Sequence, residues 1–188
     1  MGKVKFGLSN VHIAPITAVS DGVYSYGTVF TIPGAVNLTL DPEGEETNFY
    51  ADNIKYFNVY ANQGYSGTLE MALFNNDFRE KILKEVKDSN GAYVENADST
   101  PIGFAFGFQI ESDTTGRRFW YYNCTAARPG NASATIETSK EPQTETLNIT
   151  VAPRLGDHNV RVFMDKTDDN STAYNGFFDS VYESSISG

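Results

Sequence analysis

The sequence predicts a mainly β protein, α+β in class, with one amphipathic helix packed against its strands. Three observations carry this. Apolar residues alternate with polar ones along several stretches, the period-two signature of half-buried strands. Clusters of Gly, Asn, Asp and Pro separate those stretches, as turns require. Only one segment, from Asp77 to Val86, places its apolar residues at helical spacing.

In chain order, Val36, Leu38 and Leu40 alternate with Asn37 and Thr39 to predict the first clear strand. Residues 54–60 predict the next, with Tyr56, Asn58 and Tyr60 on one face and Phe57 and Val59 on the other. Leu69, Met71 and Leu73 alternate with Thr68, Glu70 and Ala72. The helix follows, capped by Asp77, with Glu80 at capping-box spacing and Phe78, Ile82, Leu83 and Val86 on one face. Glu80 with Lys84 and Lys81 with Glu85 form its solvated pairs, and Asn90-Gly91 ends it.

A hairpin runs from Ile102–Ile110 into Arg117–Thr125 through the turn Asp113-Thr114-Thr115-Gly116. A four-residue loop would pair Ile110 with Phe119, Phe108 with Tyr121 and Gly107 with Tyr122. Phe104, Phe106, Phe108 and Ile110 then form an apolar stripe, while Gly103, Ala105 and Gly107 leave room for cross-strand aromatics. Leu147, Ile149 and Val151 predict another strand, as do Val160, Val162 and Met164. After Lys166 the alternation stops and Asp, Asn and Ser accumulate, although Tyr174, Phe177, Phe178, Val181 and Tyr182 persist. The chain therefore divides into a β domain over residues 1–165 and a polar, loosely ordered tail over 166–188, free to dock on a partner.

At 188 residues, one domain buries roughly 70% of its unfolded surface and needs no metal or disulfide staple. The single cysteine, Cys124, cannot form an internal disulfide and reads as an inert buried thiol, which suits folding in a reducing cytoplasm. The basic start Met1–Lys5 is followed by no apolar run, which predicts neither a signal peptide nor a membrane span. A net charge of −10 argues against a protein that grips duplex DNA through a basic face. It is compatible with a conduit that repels DNA, and with plain solubility.

Motifs for chemistry are missing: no phosphate loop, zinc spacing or nucleophile elbow occurs. His12 and His158 lie far apart without a local partner pattern. The run Asp41-Pro42-Glu43-Gly44-Glu45-Glu46 places four carboxylates among six residues, and its Pro and Gly predict a loop. A solvated loop is the first reading of that run, an assembly contact the second and a calcium loop the third, since EF-hand spacing is absent. The sequence thus calls for no catalytic residue, no cofactor and no metal. Its candidate subunit contacts are Asp41, Glu43, Glu45, Glu46 and Asp52, which lie in or beside this loop.

A set of short motifs adds a family resemblance. They are Pro33-Gly34-Ala35-Val36-Asn37-Leu38, Tyr50-Ala51-Asp52-Asn53, Gly64-Tyr65-Ser66-Gly67 before Leu69-Glu70, and Gly107-Phe108-Gln109-Ile110-Glu111. Trp120-Tyr121-Tyr122-Asn123-Cys124 and Ala127-Arg128-Pro129 follow in order. In order and spacing the chain resembles the major tail proteins, or tail-tube proteins, of phages with long, non-contractile tails, over roughly residues 1–165. The resemblance implies a β-sandwich or barrel-like fold flanked by a helix. It also implies stacked, usually hexameric rings whose strands join into an inner barrel.

The implied partners are other copies of the chain, a tape-measure protein and a tail-tip initiator, with DNA crossing the lumen without specific binding and no membrane involved. The net charge of −10 predicts a negative field in that lumen, with acidity serving solubility alone as the alternative. The implied place is the virion tail, assembled in the host bacterial cytoplasm, and the implied role is structural, not enzymatic. Two other classes stay open: a β-sandwich carbohydrate-binding or adhesion module and, further off, a small hydrolase.

Overall fold

Strands form where a second strand covers the apolar face, and the computed structural model, which describes residues 4–130, 133 and 142–185, follows that rule over most of its length. The strands among the described residues are β1 (Lys5–Ser20), β2 (Val23–Tyr26), β3 (Phe30–Thr31), β4 (Ala35–Glu43), β5 (Glu46–Ala51), β6 (Ile54–Tyr60) and β7 (Gly64–Met71). They continue as β8 (Val86–Lys87), β9 (Tyr93–Val94), β10 (Phe104–Ser112), β11 (Arg117–Ala126), β12 (Glu145–Val151) and β13 (Arg161–Met164). Two short helices join them, α1 (Asn76–Lys81) and α2 (Ser171–Asn175). The protein is mainly β, as the periodicity predicts.

The main sheet is antiparallel in the order β2-β1-β10-β11-β12-β7-β4. β11 serves two neighbours along one edge: Arg118–Tyr121 pair with β13, and Cys124–Ala126 pair with β12. A corner between β3 and β4 folds the sheet over. Ile32 donates its N–H to Val11 O at 3.0 Å, and two residues later Gly34 O accepts from Ala72 N at 2.7 Å. One short segment thus ties β1 to the end of β7 without closing a barrel. Between the two halves lie Ile13, Leu69, Met71, Phe104, Phe106, Leu147, Ile149 and Val151, all buried, with Phe78, Ile82 and Leu83 of the helical segment packed against them.

Several details differ from the sequence reading. In the β10–β11 hairpin, Phe108 faces Phe119, Gly107 faces Trp120 and Ile110 faces Arg117. The offset from the predicted pairing is two residues, so every side chain keeps its predicted face. Its cause is a longer turn: Ser112 still pairs with Lys5 of β1, and its hydroxyl donates to Thr115 O at 2.9 Å. Val36 turns outward because a bulge sits between Ala35 and Asn37. Leu73 is exposed because β7 stops at Met71.

The helix is shorter than its apolar spacing suggests. Asn75, not Asp77, caps it, its side-chain oxygen accepting from Phe78 N at 3.0 Å. It stops at Lys81, with Lys84 at a φ of 61°. Val86 is therefore an exposed strand residue paired with Val94. Glu80 accepts instead from the Tyr93 hydroxyl at 2.7 Å, and Glu85 meets Arg79 at 3.5 Å. Asn90-Gly91 turns the β8–β9 hairpin, where the Asp88 carboxylate accepts from Asn90 N and Ala92 N, each at 2.8 Å.

The largest correction concerns the tail. Residues 166–185 lie back across the outer face of the sheet (186–188 fall outside the described residues) and build a second buried cluster there. Phe177 and Val181 pack with Ala14, Ala105, Trp120 and Tyr122. Successive outward residues of β11 hold this strap by its backbone. Arg118 donates to Tyr174 O and to Asn175 O, Trp120 Nε1 donates to Phe177 O at 2.8 Å, and Tyr122 Oη donates to Tyr182 O at 2.9 Å.

An ion-pair clamp closes its far end, with Arg154 donating to Glu183 at 2.8 and 2.9 Å and to Asp157 at 3.0 Å. The Arg154 guanidinium holds the Asp157 carboxyl at about 2, and Arg117 likewise holds Asp165 below its usual range. Carboxyls with depressed folded-state pKa contribute stability that is present above the unfolded pKa and lost as pH falls toward the folded one. The urea midpoint should therefore drop as pH falls from about 4 toward 2, and an Asp157→Asn chain should show a shallower drop.

Candidate assembly surface

The predicted contact residues come together on one feature, a long antiparallel ribbon. β4 runs into β5 and β6 runs into β7, and the pairing persists across both junctions. Glu43 faces Gly64, Gln63 N donates to Glu43 O at 2.9 Å, Ala61 N donates to Glu45 O at 3.1 Å, and Glu46 faces Tyr60. Gly44 makes the crossing possible, since a Cβ there would lie 1.8 Å from Ala61 O. The near half, β4 with β7, belongs to the main sheet. The far half, β5 with β6, is a separate two-stranded sheet.

Its tip is the two-residue turn Asp52-Asn53, with φ of 51° and 62°. Both are left-handed, as a type I′ hairpin turn demands, and Asp and Asn tolerate them better than most side chains. Phe49 pairs across the strands with Phe57, and Thr47 with Val59.

No described part of the chain covers the far half. Phe49, Tyr50, Ile54, Tyr56, Phe57, Val59 and Tyr60 are 49–72% exposed, on both faces of the hairpin. A lone two-stranded hairpin is marginal in water, and apolar side chains clustered in the open mark an interaction surface.

Asp41 and Glu43 lie on β4, not in a loop: the strand runs through Pro42, which sits at the sheet edge where its missing N–H costs nothing. Glu45 lies in the junction, Glu46 opens β5 in an ion pair with Lys55, and Asp52 occupies the tip. All five carboxylates are exposed along one side element of the molecule. The aromatic residues beside them were readable as a strand, but their exposure was not.

The groups weighed for chemistry sit apart from this ribbon. His12 stacks on Phe178 with ring centres 4.2 Å apart, and its Nδ1 lies 2.6 Å from Asn10 O. His158 occupies a loop at a φ of 56°. Cys124 is buried, and burial pushes its thiol pKa up. Among the described residues, no group of three or more His, Cys, Asp or Glu could hold a metal ion, and no helix is long and apolar enough to cross a membrane.

No protein-family model and no curated protein matches the chain. Among solved structures, a cryo-EM structure of the anti-feeding prophage baseplate, six-fold symmetrised, is similar over 87% of this chain and 97% of that one, at 11% identity and a TM-score of 0.41.

Proposed function

We propose that the chain is a structural, non-enzymatic subunit that assembles with copies of itself, and that the assembly is the tail tube of a long-tailed phage. The observation that carries self-assembly is the ribbon, which holds seven large apolar side chains in solvent on a hairpin too small to be stable alone. Among the described residues the outer edge of β4 pairs with no strand, which supports the same reading, since joining strands between copies removes exposed edges. The ring, tape-measure and initiator partners, and the DNA conduit, rest on the family resemblance of the sequence motifs. In such a tube the acidic chain keeps DNA off the wall, with the repulsion screened beyond ~8 Å at physiological salt.

Electron microscopy of the purified protein at rising concentration, with initiator and tape-measure protein supplied, tests the proposal. Rings or tubes are expected, and persistent monomers under those conditions overturn it. The exposed tyrosines of the ribbon also suit a sugar-binding platform, which predicts a monomer that binds glycan and does not polymerise. Changing Asp41, Glu43, Glu45 and Glu46 to their amides should alter the rate of assembly while circular dichroism of the monomer stays the same. Unchanged assembly kinetics would remove these carboxylates from the interface.

A further inference from the structure

We propose that the ribbon tip of one copy docks into the cleft beside the β10–β11 turn of a second copy; this rests on the self-assembly reading above. The cleft has a volume of about 500 Å³, an apolar floor of Ile110 and Phe119, and a rim that includes Lys5, Arg117 and Lys166. Phe163, half exposed, extends the floor beside Phe119. The carboxylates at the cleft are already engaged. Asp165 takes two hydrogen bonds from Arg117, at 2.8 and 2.6 Å, and Glu111 accepts from Ser9 Oγ at 2.5 Å and Gln109 Nε2 at 2.8 Å.

Lys5 and Lys166 form no ion pair among the described residues. In a chain of net charge −10, this leaves a cleft of mixed lining, with an apolar patch at its floor and two cations at its mouth that form no ion pair among the described residues. Beside it, β13 pairs with β11 on one side and, among the described residues, with no strand on the other.

The ribbon tip has the complementary features. Tyr50 and Ile54 are exposed apolar side chains on either side of Asp52, whose carboxylate forms no ion pair among the described residues. Among the described residues β5 and β6 each lack an outer strand neighbour, so either can extend the open edge of β13 by backbone hydrogen bonds. None of the ribbon residues lines the cleft of its own chain. Tip and cleft are different surfaces of one subunit, so the contact is heterologous and propagates into a ring or filament.

Charge exchange tests the pairing. A Lys5→Glu/Lys166→Glu chain should need at least about tenfold more protein to assemble, because like charges now face each other. Adding Asp52→Lys to the same chain should restore assembly. Independently, Tyr50→Cys copies mixed with Lys166→Cys copies should form a covalent heterodimer on oxidation, since the native Cys124 is buried and does not compete. Normal assembly of the Lys5→Glu/Lys166→Glu chain, or absence of both the rescue and the cross-link, overturns the pairing while leaving self-assembly intact. Failure of the unmodified chain to assemble overturns the self-assembly reading itself.

Discussion

Replacing Phe49 and Phe57 together with serine should abolish the proposed assembly at working concentrations and leave the monomer folded. The two rings are a cross-strand pair on β5 and β6, and both are more than half exposed. Neither belongs to either buried cluster, so their removal opens no cavity. In an interface the same rings would be desolvated by the neighbouring copy, and truncating such aromatic anchors typically costs about 2 kcal/mol each or more. Losing both should raise the concentration needed for half-assembly by about two to three orders of magnitude, allowing for imperfect additivity. Sedimentation and negative-stain microscopy read the assembly, and thermal unfolding of the monomer reads the fold. Tubes formed at the unmodified protein's concentration would remove the ribbon from the interface.

The second large effect is on stability. Trp120→Ala should destabilise the monomer by about 3–5 kcal/mol, a large share of the ~5–15 kcal/mol that holds a typical domain together. Its indole is fully buried between the sheet and the strap. Beneath it lies Gly107, where a Cβ would come within 2.9 Å of the ring, and above it Phe178 packs edge-on with centres 5.8 Å apart. The same residue donates the Nε1 hydrogen bond to Phe177 O.

The alanine chain therefore loses packing on both sides and leaves a strap carbonyl without its partner. Trp120→Phe should cost less, keeping most of the packing while losing the bond. Urea unfolding followed by circular dichroism gives the free energies. Limited proteolysis should cut the alanine chain first within residues 166–185. A loss under about 1 kcal/mol would mean that the strap contributes little to the monomer.

The strap and the ribbon mark where sequence and structure part company. Strand patterns with one clean apolar face were legible: Leu147, Ile149 and Val151 are buried as their alternation requires. The phenylalanine stripe from Phe104 to Phe108 likewise lies in the core, and Gly107 lies under an aromatic ring as its missing side chain invites. Period two also located β6 at its correct residues. It could not tell that no described residue covers the faces of β6, because both faces mix apolar and polar residues, and burial depends on what stands opposite.

Capping shows the same limit on a smaller scale. Asn75 and Asp77 both suit a helix start, and Asn75 holds the position because its oxygen reaches Phe78 N. By composition the strap predicts a loose tail, because Asp, Asn and Ser accumulate in it. Its order comes from aromatic residues that meet β11, with Phe177 bonded to a residue 57 positions earlier in the chain. Local periodicity reports which side chains share a face, since backbone geometry alone fixes that. Which faces are covered is decided by contacts between distant segments, and those exist only once the chain has folded.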